Sequence, residues 1–361
     1  MKVAFRADAS IQIGNGHVMR CLTLADELSK RGHECIFVCR EHEGHLGNLV
    51  LSKGYVLHLL TKPVRKALSR EVPRDYEYAN WLGVTWTEDV SQTIDALSSF
   101  APDWLVVDHY ALDAKWEKQF AKDVGQIMVI DDLANRPHHC SVLLDQNLGR
   151  HKSEYEGLVP TTCELLIGPR YAMLRPEFAQ LRQHSLKRRM YPELKRILIS
   201  LGGVDQTNVT RKVLECLANS RLASETKIDV VMGANAPHID NVKNYISGLS
   251  FNIKVSVNVS NMAKRMLLAD LAIGAGGSST WERFSLGLPS IIFILAENQN
   301  LLRNILIHEK VALSILDESN LDLLTGIINS VTKTDLQNCI NRSKEVVDGL
   351  GVSRVAELLK E

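Results

Sequence analysis

The chain has 361 residues, 45% of them hydrophobic, enough for one large or two ordinary cores. Its 42 basic and 42 acidic residues cancel, and the nearest thing to a basic run is Lys187-Arg188-Arg189, flanked by His184 and Tyr191, so the footprint of a nucleic-acid binder is absent. No apolar segment approaches the roughly 18 residues a membrane span needs. The start runs into a strand without a signal-peptide pattern, and the seven cysteines are scattered with no Cys-x-x-Cys pair, so a reducing cytoplasm is expected.

In chain order, Val3-Ala4-Phe5-Arg6 reads as a strand. It leads through Gly14-Asn15-Gly16-His17 into a helical run over 18–28. A strand, a glycine turn and a helix commonly hold an anion or a sugar at the helix N-terminus. This turn ends on an imidazole, a group that moves protons near neutral pH. Apolar runs at 34–39, 104–108, 127–131, 142–145 and 165–168 have the continuous hydrophobicity of strands buried on both faces of a parallel sheet. Helical patterns over 87–100 and 114–123 lie between them. The charged, proline-containing stretch 62–75 reads as a surface excursion.

A polar segment between Gly168 and Arg196, with Pro169, Pro176 and Pro192, reads as the boundary between two halves. The second half repeats the scheme. Strands are expected at 196–201, 227–232, 253–257, 271–273 and 290–295, the first followed by Gly202-Gly203. The expected architecture is α/β, with two Rossmann-like doubly wound domains facing a central cleft. The expected boundaries are 1–170 for the N-terminal domain, 171–195 for a linker, 196–345 for the C-terminal domain, and 346–361 for a helix returning to the N-terminal domain.

The second functional feature is Gly274-Ala275-Gly276-Gly277-Ser278-Ser279-Thr280-Trp281-Glu282, following Leu271-Ala272-Ile273. Small residues let the backbone approach a phosphate, and the hydroxyls and free N–H groups of Gly276, Gly277, Ser278, Ser279 and Thr280 supply donors. Glu282, one turn inward, is placed to accept both hydroxyls of a ribose. A plain capped helix shows the same Ser/Thr-to-Glu spacing. No Gly-Lys-Ser/Thr follows, so this is not a P-loop, and neither glycine loop has the full Gly-x-Gly-x-x-Gly spacing. Asp8, at the end of the first strand, is a candidate to orient His17 or to meet a sugar amide, with turn capping as the alternative. Met232-Gly233 ends another strand, where a base edge or ordinary packing would suit a methionine. Asp108-His109, Asp131-Asp132 and His138-His139 raise a metal alternative. The absence of a His-x-x-x-His or Glu-x-x-His spacing argues against it, and no metal or cofactor is expected.

An ordered set of segments carries a resemblance across most of the length. They are Arg6-Ala7-Asp8-Ala9-Ser10 with Gly14-Asn15-Gly16-His17-Val18-Met19-Arg20-Cys21, then Val106-Val107-Asp108-His109-Tyr110, Ile130-Asp131-Asp132-Leu133-Ala134, Leu144-Asp145-Gln146-Asn147, Gly168-Pro169-Arg170-Tyr171-Ala172 and Gly276-Gly277-Ser278-Ser279-Thr280-Trp281-Glu282. In these the chain resembles the UDP-sugar hydrolases of pseudaminic acid biosynthesis, themselves similar to the GT-B transferase that adds N-acetylglucosamine to lipid I. The resemblance implies metal-independent hydrolysis of the C1–O bond of a UDP-linked 2,4-diacetamido-2,4,6-trideoxy-L-altrose with inversion, and places the catalytic base at His17. It implies substrate contacts at Asp8, Gly14, Asn15, Gly16, Arg170, Gly276, Gly277, Ser278, Ser279, Thr280 and Glu282. Asn298-Gln299 resembles the place where related transferases read sugar hydroxyls, although an N-cap fits there equally. The implied partner is a UDP-sugar, with neither nucleic acid nor membrane insertion, on a monomer. The alternative is a GT-B glycosyltransferase in which His17 deprotonates an acceptor hydroxyl.

Overall fold

A computed structural model of the chain describes residues 1–63, 78–295 and 299–359. It divides into two α/β units, Met1–Met173 with Gly351–Glu361, and Leu174–Leu350. The expected excursion at 62–75 lies outside the described residues from residue 64 onward.

The first unit holds strands β1 (Lys2–Ala7), β2 (Glu34–Arg40), β3 (Val56–Leu60), β4 (Trp104–Asp108), β5 (Gln126–Ile130), β6 (Val142–Asp145) and β7 (Glu164–Ile167). They form one parallel sheet in the order β3-β2-β1-β4-β5-β6-β7. Its helices are α1 (Gly16–Lys30), α2 (Gly47–Ser52), α3 (Trp86–Leu97) and α4 (Ala114–Glu117). In the second unit α5 (Pro176–Arg188) precedes strands β8 (Arg196–Ser200), β9 (Lys227–Met232), β10 (Asn252–Val257), β11 (Leu271–Ala275), β12 (Ser290–Phe293) and β13 (Ser314–Leu316), in the order β10-β9-β8-β11-β12-β13. Helices α6 (Val209–Ala218), α7 (Ile239–Ile246), α8 (Met262–Leu268), α9 (Ser279–Ser285), α10 (Asn300–Glu309), α11 (Leu323–Ser330) and α12 (Lys333–Val346) cover it. The last helix, α13 (Gly351–Leu358), belongs to the first unit, where Arg31 of α1 donates to Ser353 Oγ at 2.8 Å and to Glu357 at 2.9 Å.

Both sheets reverse strand order once, between β1 and β4 and between β8 and β11. Crossovers leave these two points toward opposite sides, so a crevice opens at the carboxyl ends of the strands there. The strand patterns follow from burial on both faces: β1 is buried from Val3 through Ala7 and β4 throughout. Two strands departed from the expected set. β3 is an exposed edge strand whose Val56-Leu57-His58-Leu59-Leu60 lacks the period of a buried one, and β13 has only three residues. The helix expected over 114–123 is shorter. Asp113 caps its start, and a 3-10 turn at Lys118–Phe120 ends it as the chain returns to pair Gln126 with Trp104.

The first sheet carries charge through its core. Arg6 projects from β1 toward α3, fully buried, and needs a counter-charge there. Asp89 of α3 supplies it, accepting from Arg6 Nη2 at 2.6 Å, Arg40 Nη2 at 2.6 Å and Trp116 Nε1 at 3.0 Å. Arg6 Nη1 also reaches Asp8 at 2.7 Å, and Asp8 accepts the Arg40 backbone N–H at 2.7 Å. Burial alone would raise Asp89, but Arg6 and Arg40 more than offset it and hold the carboxyl below its ordinary value. Removing one member of such a network strands the others without water or partner. Asp89→Ala is therefore expected to cost about 3–5 kcal/mol in urea unfolding; a loss under about 1 kcal/mol would contradict the assignment.

Candidate functional site

At the first switch point, Ser10 closes the turn after β1. Its carbonyl accepts the Gly14 N–H at 2.8 Å, and its hydroxyl accepts the N–H groups of Gln12 and Ile13. Gly14 has φ +80, a conformation that favours glycine. A Cβ on Gly14 or on Gly16 would meet open space, and Asn15 and Gly16 are exposed. Gly16 opens α1, and His17 is its second residue, almost wholly buried.

The partner of His17 is Asp108, at the end of β4. His17 Nδ1 lies 2.6 Å from Asp108 Oδ1. Arg20, one turn further along α1, meets the same carboxylate through Nε to Oδ2 at 2.6 Å and Nη2 to Oδ1 at 2.7 Å. Burial opposes ionisation of Asp108, but Arg20 and then His17 more than offset it and keep the carboxyl well below the usual range. An ionised Oδ1 requires a proton on Nδ1. The 3.4 Å approach of Arg20 Nη2 to Nδ1 is thus a contact between donors. The neutral ring then carries its lone pair on Nε2, which has no hydrogen-bond partner among the described residues. Tyr110 packs edge-on to the imidazole at 4.6 Å and stacks with Trp81 at 5.5 Å.

Around this pair the acidic residues have separate tasks. Asp132 accepts from Arg20 Nη1 at 2.5 Å and from the Tyr110 hydroxyl at 2.8 Å, which pins both beside His17. Asp131 pairs with Arg136 at 2.7 Å. His138 Nδ1 lies 2.7 Å from Glu117 Oε1. Asp8 was a candidate to orient His17, and it does not; Asp108 holds that position. Asp8 is fully buried and spends Oδ1 on Arg6 and Arg40, while its Oδ2 lies 3.2 Å from His109 Nε2. His109 Nδ1 accepts the Ala111 N–H, so Nε2 carries its proton toward Asp8. Arg170 is exposed, its guanidinium over the Tyr171 ring and its carbonyl held by Arg354.

In the second unit, β11 ends at the switch point and Gly276 donates to Phe293 O at 2.8 Å. A Cβ on Gly276 would press on Ile294 and Gln299, whereas Gly277 faces open space. Gly277 and Ser279 are half-buried and Ser278 is exposed. Thr280 is fully buried, and Arg283 of α9 binds its hydroxyl at 3.0 Å, Ser279 Oγ at 3.1 Å and Ala275 O at 2.8 Å. Arg283 needs the bare Gly274 beneath it, where a Cβ would sit 2.5 Å from Nη1. Its burial pulls the guanidinium down to about 10, opposed by Glu282. Glu282 is partly exposed, 3.5 Å from Arg175, and raised by burial against the pull of Arg175 and Arg283. Gln299 turns its Oε1 to the Leu295 N–H at 3.0 Å, and Asn298 lies outside the described residues. Among the described residues no group of three or more His, Cys, Asp or Glu side chains is arranged to hold a metal ion.

Solved glycosyltransferases share the architecture: MurG of Acinetobacter baumannii superposes with a TM-score of 0.67 at 12% identity, covering 99% of this chain and 98% of that one. The fold is GT-B. Residues 196–358 match the glycosyltransferase family 28 C-terminal domain. The chain is similar to the UDP-2,4-diacetamido-2,4,6-trideoxy-beta-L-altropyranose hydrolase of Campylobacter jejuni, 27% identical over 267 residues, 74% of this chain and 81% of that protein. It is also similar to the spore coat polysaccharide biosynthesis protein SpsG of Bacillus subtilis, 28% identical over 202 residues, 54% of this chain and 57% of that one.

A buried carboxyl at the end of β6, two strands from Asp108, sets a pH signature. Asp145, fully buried, is pushed up to about 7 by its burial and by the Asp132 charge, against the Asn147 N–H and Arg150. The folded chain then binds a proton that an unfolded carboxyl, at about 3.9, gives up, so stability falls as pH rises across that window. Asp145→Asn removes this slope. Relative to the native chain it should gain about 1 kcal/mol or more on going from about pH 5 to about pH 8 in urea unfolding. An unchanged difference between the two pH values would contradict the assignment.

Proposed function

We propose that the chain hydrolyses a UDP-linked 2,4-diacetamido-2,4,6-trideoxy-L-altrose at its C1–O bond with inversion. The observation that carries the reading is the His17 imidazole held by Asp108, with Nε2 unengaged among the described residues. A ring fixed in that tautomer accepts a proton. The oxygen of a water forms the new bond to C1, and the water proton passes to Nε2. The C1–O bond breaks with its electron pair passing to the β-phosphate, so UDP leaves. Asp108 stays ionised and steadies the imidazolium that forms, while the Trp81–Tyr110 wall limits water around the ring.

In the second unit, Gly277, Ser278 and Ser279 present N–H and hydroxyl donors to the diphosphate beside Gly276, whose own N–H is spent on Phe293 O, and Glu282 takes the ribose hydroxyls. Thr280 serves by fixing the loop through Arg283. UDP is stable as an anion, so the reaction needs no general acid; donors at the diphosphate take that load. The similarity to the Campylobacter jejuni hydrolase supports the sugar and the use of water as acceptor.

The decisive assay is UDP release from the purified UDP-sugar with no acceptor present. Turnover under these conditions is expected; strict dependence on an added acceptor alcohol would make the protein a transferase. His17→Ala is expected to lower kcat by about 10²–10⁴-fold while UDP binding, followed by calorimetry, stays near the native value. Full turnover in that variant would remove His17 from the mechanism.

A further inference from the structure

At the edge of the first sheet, far along the chain from His17, two cysteines meet. Cys140 and Cys163 lead into the neighbouring parallel strands β6 and β7. The register pairs Val142 with Glu164, and Glu164 N–H donates to Ser141 O at 2.8 Å, so Cys163 stands opposite Ser141 and diagonal to Cys140. Their Sγ atoms are 3.6 Å apart. A disulfide needs about 2.05 Å, so closing the gap takes side-chain rotation over about 1.5 Å, without a change of pairing. Cys163 is half-exposed in its own right, and buried Cys140 lines a surface cavity of about 570 Å³ together with His139, Ser141, Pro160, Thr162 and Glu164. A small oxidant therefore has a route to the sulfur pair.

We propose that Cys140 and Cys163 form a peroxide-oxidisable dithiol, a modification site separate from the proposed hydrolytic chemistry. Cys163 is the attacking sulfur. As a thiolate it takes an oxygen from hydrogen peroxide, forming sulfenic acid and releasing hydroxide. The Cys140 thiol then attacks the Cys163 sulfur, an S–S bond forms, the S–O bond breaks, and the Cys140 proton leaves with the hydroxyl as water. The order of events follows from exposure and from the shared contact. Cys140 keeps the proton in its more buried position and its hydrogen bond lowers the Cys163 thiol, whereas burial raises Cys21, Cys35, Cys39, Cys216 and Cys339.

The test is treatment of the full chain with a small excess of hydrogen peroxide, alkylation with N-ethylmaleimide in denaturant, and peptide mass mapping. A cross-link between the Cys140 and Cys163 peptides is expected, with the other five of the seven cysteines alkylated and dithiothreitol restoring all seven. Cys163→Ser should leave Cys140 fully alkylated after peroxide, and Cys140→Ser should leave a Cys163 sulfenic acid that dimedone captures. Circular dichroism melting establishes that both variants are folded. Complete alkylation of Cys163 in the peroxide-treated native chain, oxidation of Cys163 without the cross-link, or a disulfide between other cysteines would overturn the proposal.

Discussion

The Asp108 carboxylate is the constraint on which the candidate site depends. It is buried at the end of a central strand, where an uncompensated charge would be prohibitively costly, so the fold must bring cations to it. Helix α1 does this with two residues three apart. That spacing puts His17 and Arg20 on one face, and both reach the same carboxylate, sharing Oδ1. Arg20 neutralises the carboxylate in a two-pronged bond, and Oδ1 still fixes the His17 tautomer. The glycine turn before α1 sets where that helix begins, and hence how far His17 stands from the end of β4.

The two switch points repeat one architecture with different side chains. In the first unit the end of the sheet is filled with buried ion pairs and imidazoles, His17 and His109 among them. In the second it is lined by small residues, with a buried arginine bracing the loop from beneath. The arginine explains the run of small residues better than their hydroxyls do: Gly274 leaves space for the guanidinium, and Ser279 and Thr280 give it acceptors. Exposed Ser278 and half-buried Gly277 and Glu282 are then the groups left for a ligand. A similar economy shapes the first unit, where Asp8 and Asp89 spend their lone pairs on Arg6 and Arg40 and fix the ends of β1 and β2.

Much of this was legible in the sequence because it is local. Strands buried on both faces announce themselves as continuous apolar runs, and the turn Gly14-Asn15-Gly16-His17 shows its helix and its imidazole within a few residues. Edge strand β3 and the three-residue β13 were missed because exposure and shortness erase the pattern. The orienting carboxylate was missed for a different reason. Asp108 is 91 residues from His17, and only the sheet order, which seats β4 beside β1, makes them neighbours. Asp8 was nearer in sequence and was weighed for that task, but Arg6, two residues before it on β1, already claims its charge. Arg283 and Arg175 were likewise hidden, since a buried arginine under a loop and one beside Glu282 leave no periodic signal.

The claim that Asp108 acts through His17 is tested most directly by a double-mutant cycle on kcat with His17→Ala, Asp108→Asn and the two combined. If the carboxylate serves only to hold the imidazole, the combined variant should turn over no more slowly than His17→Ala alone. Losses that multiply in the combined variant would show that Asp108 contributes to turnover independently of His17, and would contradict the account.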